Sequence, residues 1–332
     1  MKKKVGVALI VLSLLLGAAV AWTIQKFISD DSNFNKDIHC VYEFSRMDGY
    51  EHIKPLQYVE AECEREDYID LKIQLENKID SLQKAGIITS ASVYLRDFEI
   101  GGWISVCPEK RYHPGSLLKL GVLFCILKQA ENDSSLLSRS IEYQPGSEFI
   151  PTQTFCQKSI EKGKRYRIQE LLEYMIAYSD NNATAVLNKI MNYKEYLNVF
   201  KTLNLEEPDG SNPNYSVAAK DFSNFFKVLY NGSYLSPEMS EKAIQLMLKC
   251  DFKGGMMEGL PSSTPVAHKF GEWSGSADLH ELHEAGIIYM GNKAYLLTIM
   301  TSGKEIEKIR STIPLLTRET HHFLRKFSRQ IS

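Results

Sequence analysis

The sequence predicts an α+β fold in which a helical lobe is inserted between the strands of one five-stranded antiparallel sheet. Two β-rich runs precede a long helical region, and three more strands follow it near the end of the chain. Strands from the two ends of a domain most simply join one sheet, which amphipathic terminal helices can cover. We therefore expect one domain over residues 66–332, with the helical lobe at about 112–262.

The first elements of this domain are a helix and a hairpin. Glu66–Ala85 carries apolar residues at helical spacing, and Gly86 follows it as a typical helix stop. Ser90–Leu95 and Ile100–Val106 are β-rich runs separated by a short polar segment. This arrangement predicts two antiparallel strands.

The middle of the chain carries helical periodicity. Apolar side chains recur at i, i+3, i+4, i+7 and i+8 over Ile168–Ile176, which is one face of a helix. The other predicted helices are Ser116–Asn132, Ala183–Met191, Ala218–Tyr230 and Pro237–Leu248.

The pattern then returns to strands. Val266–Phe270, Gly286–Met290 and Tyr295–Thr301 are predicted strands, and Gly291-Asn292 predicts a tight turn between the last two. Arg310–Phe327 is predicted as the closing helix.

Residues 1–27 have the features of a membrane anchor or a signal peptide. Lys2–Lys4 precede the uncharged run Val5–Gln25, which is long enough to span a bilayer. Basic residues ahead of such a run favour export of everything that follows it. We expect an anchored, extracytoplasmic protein, with cleavage near Ala21 and secretion as the alternative. Residues 28–65 are polar and predict an extracytoplasmic spacer.

Composition excludes several classes of function. The net charge is −2, and no sustained basic run follows the N-terminus, so we expect no nucleic-acid partner. Six cysteines fit an oxidising compartment, and Cys40 and Cys63 are the two that we expect to pair. None of the cysteines has metal-ligand spacing, and we expect neither a metal nor a cofactor.

The segment around Ser116 has the features of a nucleophile. Ser116 and Lys119 lie three residues apart, on one face of the predicted helix. A serine hydroxyl attacks a carbonyl only when a neighbouring base takes its proton, and a buried lysine can be that base. Backbone N–H groups at a helix start can also hold a developing oxyanion. The alternative is a helix cap beside a surface lysine.

Two more motifs follow in the chain. Ser179-Asp180-Asn181 occupies a break between two predicted helices, and Lys269-Phe270-Gly271 ends a predicted strand. With these motifs the chain resembles the penicillin-recognising serine hydrolases, most closely the class A β-lactamases. That family uses S-x-x-K, S-D-N and K-[T/S]-G in this order on a two-lobed β-lactamase/transpeptidase-like fold. The resemblance covers roughly residues 66–332.

The resemblance implies a role for each matching residue. Ser116 would attack the substrate carbonyl and become acylated, and Lys119 would take or relay its proton. Ser179 would pass a proton to the leaving nitrogen, in an electropositive setting supplied by Lys269. Asn181 would hydrogen-bond the side-chain amide of the substrate.

The same resemblance implies an oxyanion hole and reveals one departure. The backbone N–H groups of Ser116 and Glu272 would form the hole, because Glu272 comes directly after Gly271. The family's central Thr or Ser is replaced by Phe270, which removes a hydroxyl that would bind a substrate carboxylate.

A second departure concerns deacylation. The family's E-x-x-L-N motif is absent between Asn181 and Lys269. Glu206 and Glu207 are the candidate bases, and surface carboxylates are the alternative interpretation of both. We expect a serine hydrolase acting on a β-lactam or a related peptidoglycan-derived amide. The alternatives are a D-alanyl-D-alanine carboxypeptidase-like penicillin-binding protein and a non-catalytic relative that binds peptidoglycan or a partner protein.

Overall fold

The structure is a computed structural model that describes residues 40–50, 52–146, 154–155, 158–209, 212, 214–276 and 278–331. The chain divides into two compact units, Met1–Val41 and Tyr42–Ser332, and every element below belongs to the second. The anchor or signal peptide predicted at 1–27 lies outside the described residues. Within the described part of the chain, no helix is both long enough and apolar enough to cross a bilayer.

The described strands are numbered in chain order. They are β1 (Tyr42–Arg46), β2 (Leu56–Ala61), β3 (Ser90–Asp97), β4 (Trp103–Val106), β5 (Arg111–Tyr112), β6 (Ser140–Glu142), β7 (Arg165–Arg167), β8 (Val217–Ala218), β9 (Val266–Ser276), β10 (Leu279–Met290) and β11 (Lys293–Gly303).

The described α-helices are numbered in the same way. They are α1 (Ile69–Lys84), α2 (Lys119–Asn132), α3 (Ile168–Ala177), α4 (Asn181–Asn188), α5 (Tyr193–Thr202), α6 (Ala219–Phe222), α7 (Asn224–Tyr230), α8 (Pro237–Leu248), α9 (Met256–Gly259) and α10 (Ile306–Ile331).

One five-stranded sheet organises the domain, in the order β4-β3-β11-β10-β9. All four pairings are antiparallel, and the predicted five-stranded antiparallel sheet is confirmed. One face packs against α1 and α10, where Leu71, Leu75 and Ile313 are buried. The other face packs against the helical lobe, in which α2 is buried along most of its length. The strand β9 lies at one edge of the sheet.

The inserted lobe is less purely helical than the sequence predicts. Two short antiparallel pairs, β5 with β8 and β6 with β7, lie among its helices. The helix predicted over Ala218–Tyr230 is interrupted at Ser223. The Ser223 hydroxyl bonds the Ala219 carbonyl at 2.7 Å and the Thr298 hydroxyl of β11 at 2.7 Å. Such back-bonding competes with regular helical hydrogen bonds and bends a helix.

The segment predicted as a spacer contains a β-hairpin. The strands β1 and β2 pair antiparallel, and long-range bonds tie β2 to the rest of the domain. Arg96 donates to the Val59 carbonyl at 2.7 Å, and Trp103 Nε1 donates to the Ala61 carbonyl at 2.7 Å. The sequence did not predict this hairpin, because its contacts with the domain have no local sequence signal. By contacts between residues, the segment from Tyr42 groups with the domain that was predicted to begin at residue 66. Cys40 and Cys63, the cysteines expected to pair, are both disulfide-bonded.

A buried carboxylate anchors this hairpin. Glu60 is 5% exposed and accepts hydrogen bonds from Tyr94, from Arg96 at 3.1 Å and from Lys227 at 2.8 Å. Burial acts to raise the pKa of Glu60, but the Lys227 ammonium outweighs it and the net pKa is lowered. Burial lowers the pKa of Lys227 to about 8, which leaves it cationic at neutral pH. A buried cation of this kind requires its carboxylate partner.

Glu60→Gln should therefore destabilise the domain strongly. The change leaves Lys227 and Arg96 buried without a counter-charge, and breaking a buried ion pair costs about 3–5 kcal/mol. The free energy of unfolding is measured by urea denaturation at pH 7. Because the folded pKa of Glu60 is lowered, its contribution is complete above the ordinary glutamate pKa and is lost as the pH falls through the folded value.

The control is the exposed pair of Asp80 and Lys84, whose side chains are 58% and 75% exposed. Asp80→Asn should change stability by less than about 1 kcal/mol, as is usual for surface ion pairs. Equal effects of the two substitutions would show that the hairpin is not held by its buried charge.

Candidate active site

Ser116 lies in a tight turn that leads into α2. Gly115–Leu118 forms a 3₁₀ turn instead of the α-helical start that the sequence predicts. In a 3₁₀ turn, side chains three residues apart eclipse one another. The Lys119 ammonium accordingly donates to Ser116 Oγ at 3.1 Å. Ser116 is 9% exposed and Lys119 is 5% exposed, so both lie at the floor of the site.

Ser179 comes from the connection between α3 and α4. Its φ is +55°, a backbone conformation that non-glycine residues seldom adopt. The Lys119 ammonium donates to Ser179 Oγ at 3.0 Å, to the Ser179 carbonyl and to Asn181 Oδ1 at 2.7 Å. Backbone strain at such a residue persists only when its surroundings hold it in place.

Lys269 reaches the same hydroxyl from β9. Its ammonium donates to Ser179 Oγ at 2.8 Å and to the Phe270 carbonyl at 2.7 Å. Ser179 Oγ thus accepts hydrogen bonds from two lysines, and both lone pairs of a hydroxyl are then used. The Ser179 O–H proton is left to donate elsewhere, as a proton relay requires.

Asp180, the central residue of its motif, holds the connection together. Its carboxylate accepts from the N–H of Asn182 at 2.9 Å, which caps α4. It also accepts from the Ser159 hydroxyl and from the N–H of Ile160, each at 2.8 Å. Asp180 is 2% exposed, and it therefore fixes the backbone that presents Ser179.

The edge strand β9 passes very close to the Ser116 turn. A Cβ atom at Gly271 would lie 2.6 Å from the Pro114 carbonyl oxygen, and one at Gly115 would lie 2.3 Å from the Glu272 carbonyl oxygen. Gly115 also has a φ of +53°, which favours glycine. This approach brings the backbone of Glu272 beside that of Ser116. The two backbone segments predicted to form an oxyanion hole are therefore neighbours.

These residues open onto a cleft of about 890 Å³. Its lining includes Ser116, Lys119, Asn181, Tyr196, Glu272 and Trp273. The aromatic part of the lining was not predicted from the sequence, because tyrosines and tryptophans at scattered positions carry no motif. His113 stacks on Trp273 with ring centroids 3.7 Å apart.

Glu272 places a carboxylate at the site as well as its backbone. Its Oε1 atom accepts from the N–H of Thr154 at 2.6 Å, and Thr154 also lines the cleft. Burial raises the pKa of Glu272, against the lowering effects of the Thr154 hydrogen bonds and of the Lys269 and Lys119 charges. The sequence predicted a role for the backbone of Glu272 alone.

Phe270 and His268 both point away from the cleft. Phe270 is 1% exposed and stacks on Phe252 with ring centroids 4.5 Å apart, so position 270 contributes no hydroxyl to the cleft. His268 Nδ1 lies 2.5 Å from Glu284 Oε1, and both residues are fully buried. Burial acts to lower the pKa of His268, but Cys250 and Glu284 outweigh it and raise the pKa to about 10. This ion pair lies on the side of β9 that faces away from the cleft and stabilises the position of the strand.

The structure does not bring the candidate deacylation bases to Ser116. Glu206 is exposed and pairs with Arg111 at 3.3 Å, and Glu207 is also exposed. Neither lines the cleft, whereas Asp209 from the same segment does. Among the described residues, no group of three or more His, Cys, Asp or Glu side chains is arranged to hold a metal ion.

Comparisons with known proteins identify the family. A model of the beta-lactamase enzyme family matches residues 74–331. The chain belongs to the beta-lactamase enzyme family. A curated β-lactamase from Bacteroides uniformis is 22% identical over 263 residues, which cover 72% of this chain and 87% of that protein. This β-lactamase-family protein is therefore a serine hydrolase of the β-lactamase type, and the resemblance inferred from its motifs is confirmed.

Solved structures share its fold. A variant of the ancestral class A β-lactamase of Gram-negative bacteria superposes with a TM-score of 0.65 and 17% identity, covering 76% of this chain and 99% of that one. The class A β-lactamase of Mycobacterium abscessus superposes with a TM-score of 0.61 and 18% identity, and the match covers 76% of this chain and 99% of that one. An acyl-enzyme complex of a PBP-A mutant with penicillin G superposes with a TM-score of 0.62 and 18% identity, and the match covers 78% of this chain and 97% of that one. At these identities the likeness establishes the β-lactamase/transpeptidase-like fold.

Asp180→Ala should destabilise the domain by about 2–4 kcal/mol, because it removes a helix cap and leaves buried donors unsatisfied. The measurement is urea unfolding at neutral pH. Asn192→Ala is the matched control, since exposed Asn192 caps α5 through a single bond from Glu195 N at 3.2 Å. Its cost should be about 1 kcal/mol. A cost for Asp180→Ala no larger than that of the control would contradict the proposed anchoring.

Gly271→Ala should slow acylation by penicillin G at least about a hundredfold. The added Cβ pushes β9 away from the Ser116 turn, and a displacement of about 1 Å at a reacting centre has an effect of this size. Stopped reactions analysed by intact mass give the rate. Gly254→Ala is the control, because its Cβ meets only the flexible side chain of Arg310. An unchanged rate in the Gly271 variant would rule out the close approach as a catalytic constraint.

Proposed function

We propose that this chain is an acyl-enzyme serine hydrolase that acts on β-lactams or related cell-wall amides outside the cytoplasmic membrane. One observation carries the proposal: the Lys119 ammonium lies 3.1 Å from Ser116 Oγ and 3.0 Å from Ser179 Oγ, and Lys269 bonds the same Ser179 oxygen at 2.8 Å. Nucleophile, base and relay are thus in hydrogen-bond contact. This is the arrangement that covalent catalysis by a serine requires.

Acylation follows from these contacts. Ser116 Oγ attacks the carbonyl carbon, and its proton passes to Lys119 in the neutral form of that amine. The N–H groups of Ser116 and Glu272 hold the oxyanion that develops. The C–N bond then breaks, and the leaving nitrogen takes a proton from Ser179, which is replenished from Lys119. Lys269 remains cationic and orients the Ser179 hydroxyl.

In this proposal the substrate is bound by Asn181 and by the aromatic side chains that line the cleft. Asn181 lines the cleft and its Oδ1 accepts from Lys119 at 2.7 Å, so its side-chain amide is the polar group that we expect to bond a substrate amide. Tyr196 and Trp273 supply apolar surface along the cleft. A polar anchor beside aromatic walls suits an amide that carries a bulky side chain.

A D-alanyl-D-alanine carboxypeptidase-like activity is the second candidate, and one observation favours it. Glu206 and Glu207, the candidate deacylation bases, both lie outside the cleft. Without water activation by either of these two carboxylates, we expect the acyl-enzyme to be long-lived. Such a protein retains a bound penicillin and behaves as a penicillin-binding protein.

The N-terminal segment supports the proposed location. Lys2–Lys4 and the apolar run Val5–Gln25 favour a helix that anchors the protein with its domain on the outer side. Cleavage near Ala21, followed by secretion, is the alternative. Intact mass of the protein recovered from the membrane fraction and from the culture medium separates the two, because cleavage removes the run and releases the domain.

Incubation of the full chain with penicillin G should give a covalent adduct on Ser116. Ser116→Ala should abolish it, because the nucleophile is lost. Ser81→Ala is the matched control: Ser81 and Lys84 repeat the S-x-x-K spacing on the surface of α1, and this change should have no effect. Intact mass is followed from minutes to hours.

The lifetime of the adduct decides between the two enzymatic functions. An adduct that clears while penicilloic acid accumulates indicates a β-lactamase, and one that persists indicates a penicillin-binding peptidase. An adduct that forms equally on Ser116→Ala would refute the assigned nucleophile. Absence of both adduct and product would refute the proposed function and favour a non-catalytic relative.

A further inference from the structure

Only one of the two carboxylate oxygens of Glu272 has a hydrogen-bond partner among the described residues. Oε1 accepts from the N–H of Thr154 at 2.6 Å, whereas Oε2 is buried and has no hydrogen-bond partner in the described part of the chain. Thr154, Glu272 and Trp273 all line the cleft. A buried acceptor without a donor costs free energy, so a ligand that brings a donor to this oxygen is favoured.

The same part of the cleft is poorly equipped to bind an anion. Phe270 packs against Phe252 in the core, so residue 270 offers no hydroxyl. No arginine is found among the described residues that line the cleft, and Asp209 adds a second carboxylate to the lining. The cleft also contains His113 and His280, of which His113 Nδ1 lies 3.5 Å from Glu281 Oε2 and His280 Nδ1 lies 2.8 Å from the Ser274 hydroxyl. The ammonium groups of Lys119 and Lys269 already bond Ser179.

Charge at Glu272 depends on its burial and its neighbours. Burial raises its pKa, while Thr154, Lys269 and Lys119 oppose that rise. The carboxylate is therefore ionised in alkaline solution and becomes neutral at a higher pH than an exposed glutamate does. When it is ionised, it repels a second carboxylate brought into the cleft.

We propose that Glu272 determines substrate choice in this cleft: it selects amides that present a hydrogen-bond donor, an N–H or an ammonium, at the position where a penicillin presents its carboxylate. This inference rests on the proposed acyl-enzyme function and specifies its substrate class. The donor would bond Glu272 Oε2, and the reacting carbonyl would lie beside the backbone N–H of the same residue. Glu272 would thus bind the oxyanion through its backbone N–H and the neighbouring donor group of the substrate through its carboxylate.

The test compares two probes that differ at this one group. The full-length protein is incubated at pH 8 with penicillin G or with the primary amide made from its carboxylate, and the two acylation rate constants are measured by intact mass. We expect the amide to react at least about tenfold faster, which corresponds to about 1.4 kcal/mol. Glu272→Gln keeps an acceptor for Thr154 and removes the charge. It should reduce the preference at least about tenfold, chiefly through faster reaction with the acid.

The control and a second readout separate charge from structure. Glu76→Gln removes an exposed carboxylate on α1 and should leave the preference unchanged. The ratio of the two rate constants in the unaltered protein should fall as the pH is lowered, because Glu272 is protonated at a higher pH than an exposed glutamate and its repulsion is then lost. The ratio in Glu272→Gln at the same pH values is the baseline, because it carries the contribution of the other titratable groups that line the cleft, His113 and His280 among them. The fall in the unaltered protein should exceed that baseline.

The outcomes distinguish this inference from the proposed function. Equal rates for acid and amide in the unaltered protein, or a preference that survives Glu272→Gln, would overturn the inference and leave the acyl-enzyme function standing. Failure of both probes to acylate Ser116 would overturn the function and the inference together. The assignment is supported if the preference for the amide vanishes in Glu272→Gln and the ratio of the two rate constants depends less on pH in that variant than in the unaltered protein.

Discussion

The hydroxyl of Ser179 is the point on which this active site depends. It accepts from Lys119 of the helical lobe and from Lys269 of the sheet, at 3.0 and 2.8 Å, so one oxygen links both lobes. The two amino groups also donate to backbone carbonyls, Lys119 to that of Ser179 and Lys269 to that of Phe270. The positive φ of Ser179 delivers the hydroxyl, and buried Asp180 holds that backbone in place. The short connection between α3 and α4 therefore both presents the Ser179 hydroxyl and contributes to the stability of the fold.

Close packing of two backbones is the second constraint. Gly115 and Gly271 lie where any side chain would collide with the opposite backbone, which fixes the edge strand against the nucleophile turn. The His268–Glu284 ion pair, buried behind that strand, resists its displacement. The site is thus closely packed between β9 and the Ser116 turn and open along the rest of the cleft.

Local patterns predicted most of the fold and the core of the site. The spacing of Ser116 and Lys119, the break at Ser179 and the strand bearing Lys269 identified residues that the structure brings into contact, since each motif lies on one short element. The carboxylate of Glu272 in the cleft could not be predicted, because its partner Thr154 is 118 positions away. Glu206 and Glu207 were chosen by position in the chain alone, and position does not determine which side of a loop faces the cleft.

The β1–β2 hairpin has a consequence for how the domain is delimited. The family match begins at residue 74, yet Glu60 neutralises Lys227, which belongs to the helical lobe. The family match thus covers a shorter segment than the one joined by the contacts between the β1–β2 hairpin and the rest of the domain. A truncated form beginning at the family boundary would expose the apolar rings around Lys227 and Arg96 and leave two cations without a counter-ion. The additional strands are part of the compact unit that begins at Tyr42, and we expect a stable form of this domain to include them.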